Sequence, residues 1–343
     1  MTSSNTDAPA PALTGKSRMR RLLNRPEGAI LVFFVTVQVI CVIAALIWPT
    51  EFRYLSEPNI RVLLKSLAPL GIMALGVGIL MVCGEFDLSV GAVYTFCAIV
   101  AATLVGQIPG AETGVSMNAF VALIIAVALG VLIGLLNGVI SILFAIPSFI
   151  VTLGAMLVWK GTTLFYHGAT SLAFRPDPVF KTIFGSTFWV IDMSFVWFII
   201  LGIGCHFMLQ HHRLGNHMFA VGGNENAATA IGVNPFKVKM IGFAFAGGFA
   251  AFAGIVAMTR VGSVQPGGGL GLELQAIAAC VIGGAALTGG RGSIIGVMLG
   301  AALVFTIQDV LLLIRAPGFY FDIFVGGLII ISVIVNRLLR LKD

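Results

Sequence analysis

VGGNENAATAIGVNPFKVK, residues 221–239, is the longest polar interruption in the hydrophobic second half of this chain. Its composition is that of an ordered element. Gly222 and Gly223 suit a turn, and Asn224 is a helix-capping residue. Glu225 places a negative charge at the positive N-terminal end of the helix that follows. Ala227, Ala228 and Ile231 are spaced to share one face, and Gly232 followed by Pro235 stops the helix. About two turns result, too few to be stable alone. A short capped helix between two apolar runs makes sense if something outside the membrane grips it. Gly223, Asn224, Glu225, Ala227, Ala228, Ile231 and Gly232 are therefore expected to form a docking element.

The apolar runs on either side set the fold class. Of 343 residues, 58% are hydrophobic and 10% charged, with a mean hydropathy of +1.04. Runs long enough to cross a bilayer recur along the whole chain. Ten are expected, within a range of eight to ten: about 30–48, 62–83, 89–106, 119–144, 149–166, 190–209, 239–259, 274–287, 293–314 and 319–336. The chain reads as an all-α polytopic membrane protein. Residues 1–25 read as a disordered cytoplasmic leader and 26–343 as one transmembrane domain carrying the polar loop 210–238. The first run has no A-x-A-like exit and reads as an uncleaved span.

Net charge is +6, and the basic residues sit where topology signals belong. Lys16, Arg18, Arg20, Arg21 and Arg25 precede the first run, and Arg337, Arg340 and Lys342 follow the last. With ten spans both termini share a side, and the positive-inside rule makes that side cytoplasmic. Loop 210–238 then falls inside; loops 107–118 and 167–189 fall outside. No soluble domain is left to carry a basic patch, which excludes nucleic acid as a partner.

Glycine carries a packing message. Gly130, Gly134 and Gly138 are spaced by four, as are Gly292, Gly296 and Gly300. Such ridges let helix backbones approach closely, within a subunit or between subunits. A weak internal echo also lays GEFDLSVGAVYTFCAIVAA (84–102) on GGAALTGGRGSIIGVMLGA (283–301), pairing Gly84 with Gly283 and Leu88 with Leu287. Duplicated breaks of this kind mark transport pathways.

No nucleophile–base motif, H-E-x-x-H or P-loop is present, so neither hydrolysis nor nucleotide binding has local support. His206, His211, His212 and His217 cluster without carboxylate neighbours, and no metal site or cofactor is expected. Polar residues placed to face a pathway or gate it are Asp87, Ser89, Asn137, Ser148, Thr152, Gln265 and Gln275. Asp87 also suits a capping role for the span that follows it. Hydroxyls and amides bind a neutral polyhydroxylated solute without imposing a charge preference. Asp309 is the one carboxylate read as lying well inside an apolar run. It is the feature that a self-powered secondary transporter or channel, the alternative class, would use.

The segments 84–96, 146–161, 221–239, 265–301 and 320–326 together closely resemble the permease subunits of ribose-type ATP-binding-cassette importers. The likeness covers most of residues 60–336; the leader and QDVLLLIRAP (308–317) fall outside it. The resemblance implies a bacterial inner-membrane permease for a monosaccharide or related neutral solute. It implies that Gly223–Gly232 docks on a cytoplasmic ATPase that binds the ATP and Mg. It also implies a second permease copy and an extracytoplasmic solute-binding protein.

Overall fold

The computed structural model describes residues 28–106 and 116–340. The expected leader 1–25 with its basic cluster, most of loop 107–118 and residues 341–343 lie outside the described residues. In chain order come helices α1 (Gly28–Ile47), α2 (Glu57–Val82), α3 (Val90–Val105), α4 (Ala119–Leu143) and α5 (Ser148–His167). Strand β1 (Leu172–Ala173), helix α6 (Pro178–Gly185) and the hairpin β2 (Thr187–Phe188) and β3 (Ile191–Asp192) lead into α7 (Met193–His211). Then follow α8 (Arg213–Gly223), α9 (Glu225–Ala230), α10 (Pro235–Val261), β4 (Ser263–Val264), α11 (Leu272–Ile282), α12 (Ile294–Leu313) and α13 (Phe319–Arg340).

Ten apolar helices fall where the ten runs were expected. Seven of them (α1, α2, α4, α5, α7, α10 and α12) are long and apolar enough to cross a membrane. The apolar stretches of α3, α11 and α13 are shorter. At 1.5 Å per residue α11 covers roughly 16 Å, about half a hydrocarbon core. It is a half-span, entered through the glycine-rich segment 266–271.

The core lies on α2 and α10. Every residue of α2 from Leu67 to Val82 is buried, as a helix apolar on all sides requires. The glycine ridges settle as packing within the subunit. A side chain on Gly130 would strike Gly247 and Ala251, and one on Gly134 would strike the carbonyl of Phe243. α4 and α10 therefore cross backbone to backbone. Gly296 and Gly300 do the same for α12 against Gly283 and Ala279 of α11. The periphery, by contrast, shows lipid-compatible faces, with Ile40 and Leu46 on α1 and Leu157 and Val158 on α5 exposed.

The segment read as a large outer loop is ordered. β1 pairs antiparallel with β4, Leu172 opposite Val264, and β2 pairs with β3. Phe180 packs edge-on against Phe120 and Phe174, and Phe184 stacks on Trp197. These contacts, with Asn59–Asp309, collect the turns around 48–56, 168–192 and 262–264 at one end of the bundle. The turns around 83–89, 144–147, 212–234 and 283–293 meet at the other.

Candidate functional site

The site forms at that second end, where two spans are broken. After α2 the chain turns through Gly84, at φ +85°. Gly84 N donates to Met81 O (2.9 Å) and Glu85 N to Leu80 O (3.3 Å), the two bonds of a Schellman motif. After α11 it turns through Gly284, at φ +89°, with Gly284 N on Val281 O (3.0 Å) and Ala285 N on Cys280 O (2.9 Å). The echo between the halves is thus geometric, but its register is one residue off the sequence alignment. Gly84 corresponds to Gly284, not Gly283, because only the residue after the helix cap must be left-handed.

The two breaks touch. Gly290 N donates to Val82 O at 2.9 Å, and Gly289 lies against Gly84. Gly222 is wedged between the Val82 carbonyl and Gly290, with no room for a β-carbon. This corrects the reading of Gly222 and Gly223 as a free turn. They are the last turn of α8, a helix over residues 213–223, and Gly222 is a glycine because backbone meets backbone there.

From this junction α9 projects. Asn224 Oδ1 accepts from Ala227 N at 3.0 Å, the cap read from the sequence. Gly232, at φ +84°, ends the turn, with Val233 N donating to Ala228 O at 3.0 Å. Ala227 is exposed and Ile231 is 75% exposed, but Ala228 is 2% exposed. The three do not share a face. Ala228 turns inward because a helix this short must seat one side on the bundle, which leaves Ala227 and Ile231 to the outside. Beneath the helix, Lys239 Nζ lies 2.7 Å from Glu225 Oε2 and 2.9 Å from Glu85 Oε1.

Five of the pathway candidates gather just inside the first break. Asp87 is fully buried. Its Oδ1 accepts from Ser89 N (2.7 Å) and Ser89 Oγ (2.6 Å), a local turn just ahead of α3, whose N-cap is Ser89 itself. Asn137 Nδ2, on α4, donates to Ser89 Oγ at 2.9 Å and approaches Asp87 Oδ2 at 3.4 Å. On α5, Ser148 Oγ accepts from Phe86 N and Thr152 Oγ1 from Leu88 N, both at 3.1 Å. Irregular backbone at membrane depth must have its polar groups satisfied by protein. Here α4 and α5 do that for residues 86–89. In this conformation the five side chains hold the break and do not line an open passage.

Gln265 and Gln275 stay apart from this network. Gln265 is exposed near the opposite end, lining an opening of about 390 Å³ with Leu164, Ser171 and Pro266. Gln275 is half-buried on α11. Two carboxylates need comment. Asp309 accepts from Asn59 Nδ2 at 2.8 Å, while Gln38 links Tyr54 to Thr306 alongside. That cluster ties α1 and α2 to α12. Glu273, missed in the sequence, lies buried at the start of α11 with Oε1 accepting from Gly271 N at 3.1 Å. Its Oε2 packs on Gly91 and has no hydrogen-bond partner among the described residues. The signal for it was a carboxylate just after a glycine run that opens a short helix.

Among the described residues, ten apolar helices, two matched glycine breaks and a short polar helix that follows the junction of those breaks define a polytopic membrane protein of the permease class. The chain belongs to the family described as "Branched-chain amino acid transport system / permease component", which it matches over residues 59–333. It is 33% identical over 299 residues to the ribose import permease protein RbsC of Escherichia coli (strain K12), covering 86% of this chain and 91% of that one. It is 32% identical over 286 residues to the autoinducer 2 import system permease protein LsrC of Salmonella typhimurium (strain LT2), covering 83% and 79% respectively. No solved structure matches the chain.

Proposed function

We propose that this chain forms the translocation pathway of an ATP-driven importer for a monosaccharide or a related neutral polar solute. Two copies enclose the pathway in the inner membrane of a bacterium, with both termini and α9 in the cytoplasm. ATP and Mg are bound by a separate cytoplasmic ATPase, and a solute-binding protein delivers the solute from outside. ATP binding on the partner biases the permease between inward and outward states, a population shift driven by differential affinity.

One observation carries this reading. The α9 helix seats Ala228 on the bundle and turns Ala227 and Ile231 outward, while the chain just before it rests on both broken spans. A polar segment that presents an exposed isoleucine and contacts the breaks directly is built to be pushed. The relatives named above, a ribose import permease and an autoinducer 2 import permease, support a small polyhydroxylated solute.

Co-purification tests the docking face. Ile231→Asp places a charge on the outward side of α9 and should release the ATPase from detergent-solubilised permease while the permease itself stays monodisperse. Retention of the ATPase at the wild-type level would move the contact elsewhere.

A further inference from the structure

The ion pairs under α9 join elements that the chain keeps far apart. Lys239 lies in the first turns of α10; Glu225 opens α9; Glu85 lies in the extended stretch between α2 and α3. Lys239 and Glu85 have side chains only 14% and 13% exposed, whereas Glu225 is 50% exposed. One ammonium group therefore bridges a carboxylate on the docking helix and a carboxylate inside the break. Two residues beyond Glu85 lies Asp87, the centre of the Ser89–Asn137 network, and Phe86 N between them is held by Ser148. The ion pairs thus lead from the exposed helix to Glu85, and the backbone of residues 85–89 carries on to polar contacts with α4 and α5.

We propose that Lys239 is the positioning residue that transmits movement of α9 to the break at residues 84–89, and so to the α4–α5 side of the pathway. The inference rests on α9 being the ATPase contact. The glycine junction alone does not suffice for transmission, because Gly222, Gly84 and Gly290 touch through backbone without directional bonds other than Gly290 N to Val82 O. Lys239 supplies the directional tie. A half-buried ammonium with two carboxylate partners resists separation from either, since removing one partner leaves a charge unpaired in a poorly solvated place. Glu85 is the more enclosed partner and Glu225 the freer one, so a pull on α9 reaches the break through the enclosed bond.

The test uses the permease reconstituted with its ATPase and binding protein, scoring ATPase co-purification, basal ATP hydrolysis and solute taken up per ATP hydrolysed. Lys239→Gln and Glu85→Gln should each keep the ATPase bound and basal hydrolysis intact. Uptake per ATP should fall on the order of tenfold, within the range of allosteric couplings. The double variant should be no worse than Lys239→Gln alone, because both substitutions break the same Lys239–Glu85 tie, and Lys239→Arg should restore most of the coupling. Should Lys239→Gln fail to give monodisperse protein, Glu85→Gln carries the test, since it leaves the Lys239–Glu225 pair in place. Normal uptake per ATP in these variants overturns the proposal. So does loss of the ATPase itself in Lys239→Gln, which would make Lys239 a docking residue, and so do additive losses in the double variant. A wild-type chain that holds no ATPase would instead refute the importer reading on which the proposal stands.

Discussion

Thr152→Val isolates the hold of α5 on the first break. Valine keeps the size and β-branching of threonine, so the helix and the packing of α5 are preserved. The hydroxyl has two close bonds to lose, besides a long one to Phe149 O at 3.5 Å. It donates to Ser148 O at 2.7 Å and accepts from Leu88 N at 3.1 Å. The first loss is small, because Ser148 O keeps the N–H of its own helix. The second strands a backbone N–H in a fully buried place, which costs about 1–3 kcal/mol. The new methyl also needs more space than the oxygen did, which pushes residues 86–88 away from α5 by a few tenths of an ångström. In purified permease this should lower the apparent melting midpoint by roughly 2–6 °C. Thr152→Ser keeps the hydroxyl and should stay near wild type. A Thr152→Val permease as stable as the wild type, with unchanged uptake, would mean that residues 86–89 are not held from α5 and that the network is incidental.

Asn137→Leu removes the amide that reaches Ser89 Oγ and approaches Asp87, and should destabilise by about 1–3 kcal/mol, the cost of leaving buried polar partners unsatisfied; a denaturation series in detergent checks it. Gly134→Leu should abolish assembly, since even a β-carbon there collides with the Phe243 carbonyl and overpacking costs about 1–3 kcal/mol or more; size-exclusion profiles report it, and a monodisperse active variant would contradict the α4–α10 crossing. Ala228→Trp should disturb α9 by unseating it from this chain's own surface, so the permease should lose solubility along with coupling. Cysteines introduced at positions 181 and 229 should label from opposite sides of intact cells with a membrane-impermeant reagent, 181 from outside only.

The ten apolar stretches were legible because bilayer thickness imposes a length that composition alone reveals. The cap at Asn224 was legible for a similar reason, being a local signal within a few residues of what it caps. Side-chain partners across the bundle were not. The Lys239–Glu85–Glu225 bridge joins three separate elements, and nothing near any of the three residues announces the others. Asp87, Ser89, Asn137, Ser148 and Thr152 stand out in the sequence as polar residues in apolar surroundings, and the same scarcity of partners draws them together. Gln265 and Gln275 satisfied the same criterion but lie at other depths, which sequence spacing cannot show. The shift of the echo from Gly283 to Gly284 has a sharper cause. Two adjacent glycines look alike in sequence, and only the left-handed backbone of the second tells them apart. The inward turn of Ala228 was hidden because alanines at 227 and 228 carry no polarity to orient a short helix.

Uptake of labelled solute into proteoliposomes holding the permease, its ATPase and its binding protein addresses the function most directly. Accumulation should require ATP inside the ATPase-accessible space and the binding protein on the opposite side, and should vanish when the ATPase is omitted. Solute entry at an undiminished rate through the permease alone, driven by an ion gradient or by the solute's own gradient, would contradict it.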